Sequence, residues 1–314
     1  MSVRTEEKPA LRGRAFCAAR SSASDEPLAA TASRIDHWIL LEYRGLWDRD
    51  VLGGSLLSTE LKRHLREQLA ALGNARLLFV KQPERRARGR RRLFFGSSRP
   101  GEERFFGLEV DHQEDLVGFD FAGALSGEAT PGVPVERPLA VVCTHGKRDR
   151  CCAKYGRPLY EALRDEADPD SVWQSTHVGG DRFAGNVVFL PEGLYYGRVQ
   201  PGDVASLFAA HAAGRIELDR YRGRSAYGFP VQAAEHAVRE ATGLLGIGDV
   251  EVAGSEQVGP GAWRVRLRTA TGALFEADVA EDVAEEPAYL TCCADEPKRA
   301  RLYAATALRT LTAA

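Results

Sequence analysis

Three of the chain's six cysteines fall within ten residues, in Val141 to Gly156 (V-V-C-T-H-G-K-R-D-R-C-C-A-K-Y-G), directly after an apolar run. A second segment, Ser175 to Asn186 (S-T-H-V-G-G-D-R-F-A-G-N), sets His177 and Asp181 four residues apart. Soft thiolates with an imidazole, each at the end of a strand, are donors for a transition metal or an iron-sulfur cluster. Cys152 lies nine positions after Cys143 with Cys151 beside it, so the loop must fold back to bring sulfurs together. Gly146 permits a tight bend, and Lys147, Arg148 and Arg150 bring positive charge that lowers a thiol pKa and offsets a thiolate-ligated cluster. The H-x-x-x-D spacing can point His177 and Asp181 at one ion, across two glycines that suit a close backbone turn. Taken singly, each half reads blandly: most cytosolic cysteines are small core residues, a strand-end histidine is usually a hydrogen-bonded surface group, and Asp181 can merely cap the next segment. Three cysteines in one basic loop, with His177 at a neighbouring strand end, favour ligation.

The elements that must position these residues follow from periodicity. Leu139 to Cys143 reads as a buried strand, followed by the cysteine loop, a helix from Gly156 to Asp165 and a strand from Val172 to Thr176. Strands at Asn186 to Leu190 and Leu194 to Val199 flank a Pro191-Glu192-Gly193 turn, and a helix from Asp203 to Ala213 closes the unit. A β-α-β unit, a hairpin and a closing helix is the order of a thioredoxin-like core over residues 139–217. Ahead of it, residues 31–122 form an α/β domain: a strand at Ile35 to Tyr43, an amphipathic helix from Ser58 to Leu72 capped by Ser58 or Thr59, and strands at Ala75 to Lys81, Arg92 to Gly96 and Arg104 to Val110. Gly123 to Pro138 breaks all periodicity and reads as a linker or long loop. Residues 218–314 form a small α+β unit: a helix from Val231 to Thr242 with Ala233, His236, Ala237 and Ala241 on one face, and strands at Val250 to Ala253, Trp263 to Thr269 and Leu274 to Val279. Residues 1–30, with Cys17, are expected to be loosely ordered. The fold class is therefore α/β, a thioredoxin-like core preceded by an α/β region and followed by a small α+β unit.

Composition sets the setting. At 44% hydrophobic and 27% charged residues the chain is globular, with no run approaching the ~20 apolar residues of a membrane span. The amino terminus lacks the apolar stretch of a secretory signal, so a cytoplasmic location is expected. Thiols there stay reduced, which favours metal ligands, buried thiols or redox chemistry over disulfides. A net charge of −2 gives no general pull toward nucleic acid, which is not an expected partner. The run Arg85 to Arg92, with six arginines in eight residues, reads as a solvated, charge-protected strand edge or a basic contact patch.

C-T-H-G-K-R-D-R-C-C-A-K-Y-G-R-P, T-H-V-G-G-D-R-F-A-G-N-V-V and L-Y-Y-G-R-V together resemble the sucrase/ferredoxin-like family, specifically over Leu139 to Asp203. That family is similar to thioredoxin-like [2Fe-2S] ferredoxins. In eukaryotic members two cysteines of a C-x8-C loop and two histidines of H-x3-H hold the cluster. Carried over by position, the resemblance implies Cys143, Cys152 and His177 as ligands, with Asp181 where the family has histidine. A carboxylate is a harder ligand, expected to make the cluster more labile or lower in potential, and Cys151, Cys292 or Cys293 are the thiolates that would replace it. The vicinal pair Cys292-Cys293 otherwise reads as packing, and His145, Arg148 and Asp149 as groups that orient the loop.

The leading expectation is an electron carrier with a [2Fe-2S] cluster and a redox protein, reductase or acceptor, as its partner. A metal-free thiol redox protein using Cys151 or Cys152, or a zinc-stabilised interaction module with the same four ligands, are the alternatives. The missing C-x-x-C weighs against the first of these. No G-x-S-x-G, P-loop, H-E-x-x-H or strand-linked G-x-G-x-x-G motif points to another enzyme class.

Overall fold

The computed structural model of the chain describes residues 15–83, 89–127 and 131–311. A short helix, α1 (Cys17–Ala23), precedes β1 (His37–Glu42), a strand buried at every position. Ser58 Oγ accepts the Leu61 N–H at 3.1 Å and caps α2 (Thr59–Leu72), whose Leu61 and Leu65, one turn apart, are buried. The chain returns in β2 (Ala75–Lys81), parallel to β1, and continues as β3 (Arg91–Ser97) and β4 (Arg104–Val110), antiparallel on the other side. α3 (Phe121–Ser126) and a two-residue strand, β5 (Val133–Pro134), end this half. The stretch expected to be a bare linker thus carries a helix end and an edge strand, with Pro134 at the sheet margin where a missing N–H costs nothing.

The second half runs β6 (Leu139–Cys143), α4 (Arg150–Glu166), β7 (Val172–Ser175), β8 (Val187–Leu190), β9 (Leu194–Tyr196) and α5 (Val204–Ala212). β6 is parallel to β7 and antiparallel to β8, and β9 lies outside β8, which gives the thioredoxin-like order β9-β8-β6-β7. The first half has the same order, β2-β1-β3-β4, with the same strand directions and α2 as its crossover. The two halves join edge to edge where β2 runs antiparallel to β7 through Val80↔Ser175 and Lys81↔Gln174. With β10 (Tyr221–Arg224) outside β9 they make one ten-stranded mixed sheet. One apolar cluster, including Trp38, Leu78, Phe94, Val141, Trp173 and Tyr195, runs across both halves and reaches Cys143 and Cys152.

α6 (Phe229–Thr242) then packs on a four-stranded antiparallel sheet of β11 (Val250–Gly259), β12 (Ala262–Thr269), β13 (Leu274–Val283) and β14 (Arg301–Leu311). β14 falls where the sequence suggested no element. Of the four residues placed on one face of α6, only Ala233 is buried; Ala241 is exposed, and His236 and Ala237 are partly so. Its buried side chains include Gln232, Glu235 and Arg239, polar groups that periodicity alone assigns to solvent. Pairing explains them: Arg239 and Glu235 form a 3.0 Å ion pair with both side chains fully buried, and Tyr221 Oη donates to Glu235 at 3.1 Å. Residues 15–30 also differ from expectation. Cys17, Ala18, Ser21 and Ala30 are buried, whereas residues 1–14 lie outside the described ones. Of the arginine run, Arg85, Arg86 and Arg88 lie outside the described residues, while Arg90 pairs with Asp111 and Arg92 with Glu109 and Asp170.

His211, in the last turn of α5, stacks on Phe189 with ring centroids 4.3 Å apart, and burial pushes its pKa down to about 4. The unfolded chain, with an ordinary histidine, takes up the proton first, so this contribution is complete above about pH 6.5 and is lost as pH falls toward 4. At 1.4 kcal/mol per pH unit below about pH 6.5, the loss by pH 5 amounts to about 2 kcal/mol. His211→Phe keeps the stack and removes the titration. Urea midpoints should fall between pH 7 and pH 5 less in the variant than in the native chain, and identical pH profiles would refute the assignment.

Candidate metal centre

β6 delivers Cys143 to the sheet's end, and register sets it beside Ser175, the last residue of β7. The segment from His145 to Asp149 is a tight turn in which the Arg148 and Asp149 N–H groups both donate to His145 O. Asp149 ends it as a helix cap, its carboxylate accepting the Cys151 N–H at 2.8 Å. α4 therefore begins at Arg150, and the expected start at Gly156 is corrected. Cys151 and Cys152 lie in the first helical turn, their N–H groups donating to the Asp149 carboxylate and the Asp149 carbonyl. Successive helical positions diverge by about 100°, so the two thiols face different neighbourhoods. Gly156, one turn on, lets α4 press against the strand end: a Cβ there would lie 2.0 Å from Cys143 O.

His177 and Asp181 come from the turn after β7. Gly179 and Gly180 take φ of 105° and 79°, which favours glycine, and a side chain at Gly180 would strike the Arg222 guanidinium. Arg222, buried on β10, donates to Gly179 O, Asn186 Oδ1, Thr31 O and Thr31 Oγ1. Asn186 returns a hydrogen bond to Gly180 O at 2.9 Å, and Tyr195 Oη and Ser33 Oγ both donate to Val178 O. Thus braced, the turn holds Asp181 Oδ1 3.0 Å from His177 Nδ1 and 3.4 Å from Cys152 Sγ, with Cys152 Sγ 4.0 Å from His177 Nδ1. Donor atoms of Cys143, Cys152 and His177 all lie within 4.8 Å of one another. All four sequence-selected residues are therefore neighbours.

The electrostatics are those of a thiolate site. The hydrogen-bonding Cys152 thiol and the neighbouring His177 hold Cys143 well below the usual thiol range despite its burial, while Cys152 is pushed up by Cys143 and burial. Burial would lower His177, but Asp181 and the Cys143 thiolate raise it to about 9. Cys143, Cys152 and Asp181 are buried, and the His177 side chain is 22% exposed.

Cys151 and Cys292 do not serve as spare ligands here. Cys151 Sγ lies 3.4 Å from Cys17 Sγ and 3.3 Å from Cys292 Sγ, in a separate buried group with Asp149. Cys292 is thus more than a packing residue, and Cys17, from the stretch expected to be loosely ordered, is buried in the same group. Cys293 points away, its Sγ 3.6 Å from Arg148 O. His145 is buried edge-on to Trp47, at 5.9 Å between centroids, and burial lowers its pKa. Burial and the Asp181 charge raise Asp149 to about 6. Sequence reasoning missed Arg222; the only signal was a pair of arginines, Arg222 and Arg224, in a short strand whose positions are all buried.

A thioredoxin-ordered sheet that ends one strand and starts the following helix with thiols, opposite a His/Asp turn, defines a thioredoxin-like protein with a buried cysteine cluster that could bind a metal. Residues 28–223 match the sucrase/ferredoxin-like family, and the chain belongs to that family. Curated relatives include the altered inheritance of mitochondria protein 32 of Meyerozyma guilliermondii, 40% identical over 27% of this chain and 34% of that protein. The protein of the same name from Eremothecium gossypii is 29% identical over 32% of this chain and 36% of its own length. The chain thus spans about a third of the length of these relatives. Among solved structures, the thioredoxin-like [2Fe-2S] ferredoxin of Aquifex aeolicus aligns at 21% identity and a TM-score of 0.26, over 29% of this chain and 94% of that one. Its Cys55Ser variant aligns at 21% identity and a TM-score of 0.25, over 27% and 97%.

Proposed function

We propose that this chain is a ferredoxin-type electron carrier whose [2Fe-2S] cluster is held by Cys143, Cys152, His177 and Asp181. The observation that carries this reading is the mutually close donor set of Cys143, Cys152 and the partly buried His177, with Asp181 beside His177 and Cys152 at the same sheet end. Paired donors of this kind fit two tetrahedral irons, with non-thiolate ligands on one of them. When bound, the cluster supplies one-electron transfer. The protein's part is to exclude water around Cys143 and Cys152, to hold the Cys143 thiol low through the neighbouring Cys152 and His177, and to keep the turn that carries Asp181 aimed by the Arg222 brace. His177, the most exposed of the four, is the group able to exchange a proton with solvent as charge changes. A redox partner, reductase or acceptor, would approach over that ring, in a cytoplasmic setting that keeps the thiols reduced.

Anaerobic reconstitution with iron and sulfide tests the reading. The native chain should turn reddish brown and hold about two irons and two acid-labile sulfides. Cys143→Ser and Cys152→Ser should abolish this, and Asp181→Ala should weaken cluster retention by about tenfold or more. A colourless, iron-free product from folded native chain would sink the proposal. Zinc is the second reading, favoured by the closeness of the Cys143, Cys152 and His177 donors, which match the reach of a single ion. Elemental analysis of protein purified anaerobically separates the two.

A further inference from the structure

We propose that Cys17, Cys151 and Cys292, completed by Asp149, form a second metal site that takes zinc and ties two distant segments to the head of α4. The three sulfurs form a near-equilateral triangle with edges of 3.3, 3.4 and 3.6 Å. A tetrahedral zinc with Zn–S near 2.3 Å would space its sulfurs by about 3.8 Å, close to these edges. Asp149 supplies the fourth donor. Its two oxygens lie 3.9 Å from Cys17 Sγ, and all four donor atoms fall within 4.8 Å of one another. The carboxylate is locked in place, accepting the Cys151 N–H at 2.8 Å and the Cys292 N–H at 2.6 Å.

Two of the sulfurs accept backbone hydrogen bonds. The Cys17 N–H donates to Cys292 Sγ and the Ala18 N–H to Cys151 Sγ, both at 3.5 Å, as backbone donors do around metal-bound thiolates. The N-terminus of α4 and the cations Arg150 and Lys154, which stack on Phe16, balance the negative charge. All four proposed ligands are buried, and Ala184 and Tyr155 pack against the same group. The segments joined have little core of their own: α1 has seven residues, and the connection from β13 to β14 is held by an isolated bridge between Ala288 and Lys298. Short, core-poor segments are where a structural zinc contributes most. Three sulfurs plus one oxygen around one point suit a single ion rather than a two-iron cluster.

Full-length chain carrying Cys143→Ser and Cys152→Ser isolates this site from the first. Purified with reductant, it should retain about one zinc, and chelation should expose three thiols to a thiol reagent that were protected before. Adding Cys292→Ser should lower zinc content by about tenfold or more. Should that variant fail to fold, cobalt titration of the Cys143→Ser/Cys152→Ser chain gives the same answer through the sulfur-to-cobalt absorption of a thiolate-rich site. In the otherwise native chain, Cys17→Ser should leave the visible absorption of the reconstituted first centre intact; its loss would make the two groups one site and overturn the proposal. Folded Cys143→Ser/Cys152→Ser chain with no zinc and freely titrating thiols, with a disulfide, or with iron and sulfide in place of zinc would overturn it equally.

Discussion

Arg222→Met is expected to cost this protein about 4 kcal/mol and to release the half of the proposed metal centre that carries His177 and Asp181. Arg222 is 1% exposed, and burial lowers its pKa to about 10, so at neutral pH it remains a charged guanidinium inside the protein. Among the described residues, no carboxylate forms an ion pair with it. Its four acceptors are Thr31 O, Thr31 Oγ1, Gly179 O and Asn186 Oδ1, and its flat face lies 5.0 Å from the Phe183 ring centre. Methionine fills much of the volume but leaves buried acceptors without a donor, at about 1–3 kcal/mol each, and these losses do not simply add. The expected sum is a large share of the ordinary 5–15 kcal/mol of a folded domain. Arg222→Lys keeps the charge but cannot reach four acceptors from one point, so it should fall between the two. Urea unfolding of metal-free protein measures the first effect. Metal retention under a competing chelator measures the second, expected to drop by about tenfold or more. If Arg222→Met binds metal as tightly as the native chain, the guanidinium is not what aims Asp181.

The proximity of the proposed ligands was legible because they are local: Cys143 and Cys152 share one loop, and His177 and Asp181 share one turn. The glycines between the latter pair declared the turn as well, since φ of 105° and 79° suits no other residue so well. Most strand positions were legible for a similar reason, being short β-branched and aromatic runs bounded by turn residues. The start of α4 was not, because Gly156 and Pro158 look like the entry to a helix when read in isolation. Asp149 outweighs them by capping the chain seven residues earlier, and Pro158 withholds only the bond to Lys154 O. The second thiol group was illegible on other grounds. Cys17, Cys151 and Cys292 are separated by 134 and 141 positions, and no periodicity joins residues so distant. The repeated strand order of the two halves is likewise topology without sequence echo. On α6, burial of Glu235 and Arg239 depends on each finding the other, which a hydrophobic pattern does not encode.

Vicinal cysteines at a helix start divide their loyalties, and Gly156 decides how well the inner one is served. Gly156→Ala sets two effects against each other. Alanine in a helix is favoured over glycine by about 1 kcal/mol. The new Cβ, however, would sit 2.0 Å from Cys143 O and 3.0 Å from Cys143 C, both backbone atoms of a strand buried at every position. Neither can swing aside as a flexible side chain would, so α4 must move off β6 by about 1 Å, an overpacking cost of about 3 kcal/mol. The clash wins, and the expected net loss is about 2 kcal/mol in urea unfolding. The site suffers more than the fold. The strain falls directly on the residue carrying one thiol, and the retreating helix carries the other, so metal affinity should fall by about tenfold to a hundredfold. Gly202→Ala is the control, because a Cβ there meets nothing within 4 Å and its backbone is not left-handed. It should leave both stability and metal binding unchanged. A Gly156→Ala chain as stable as native and fully able to bind metal would show that the close approach of α4 to Cys143 is not what builds the centre.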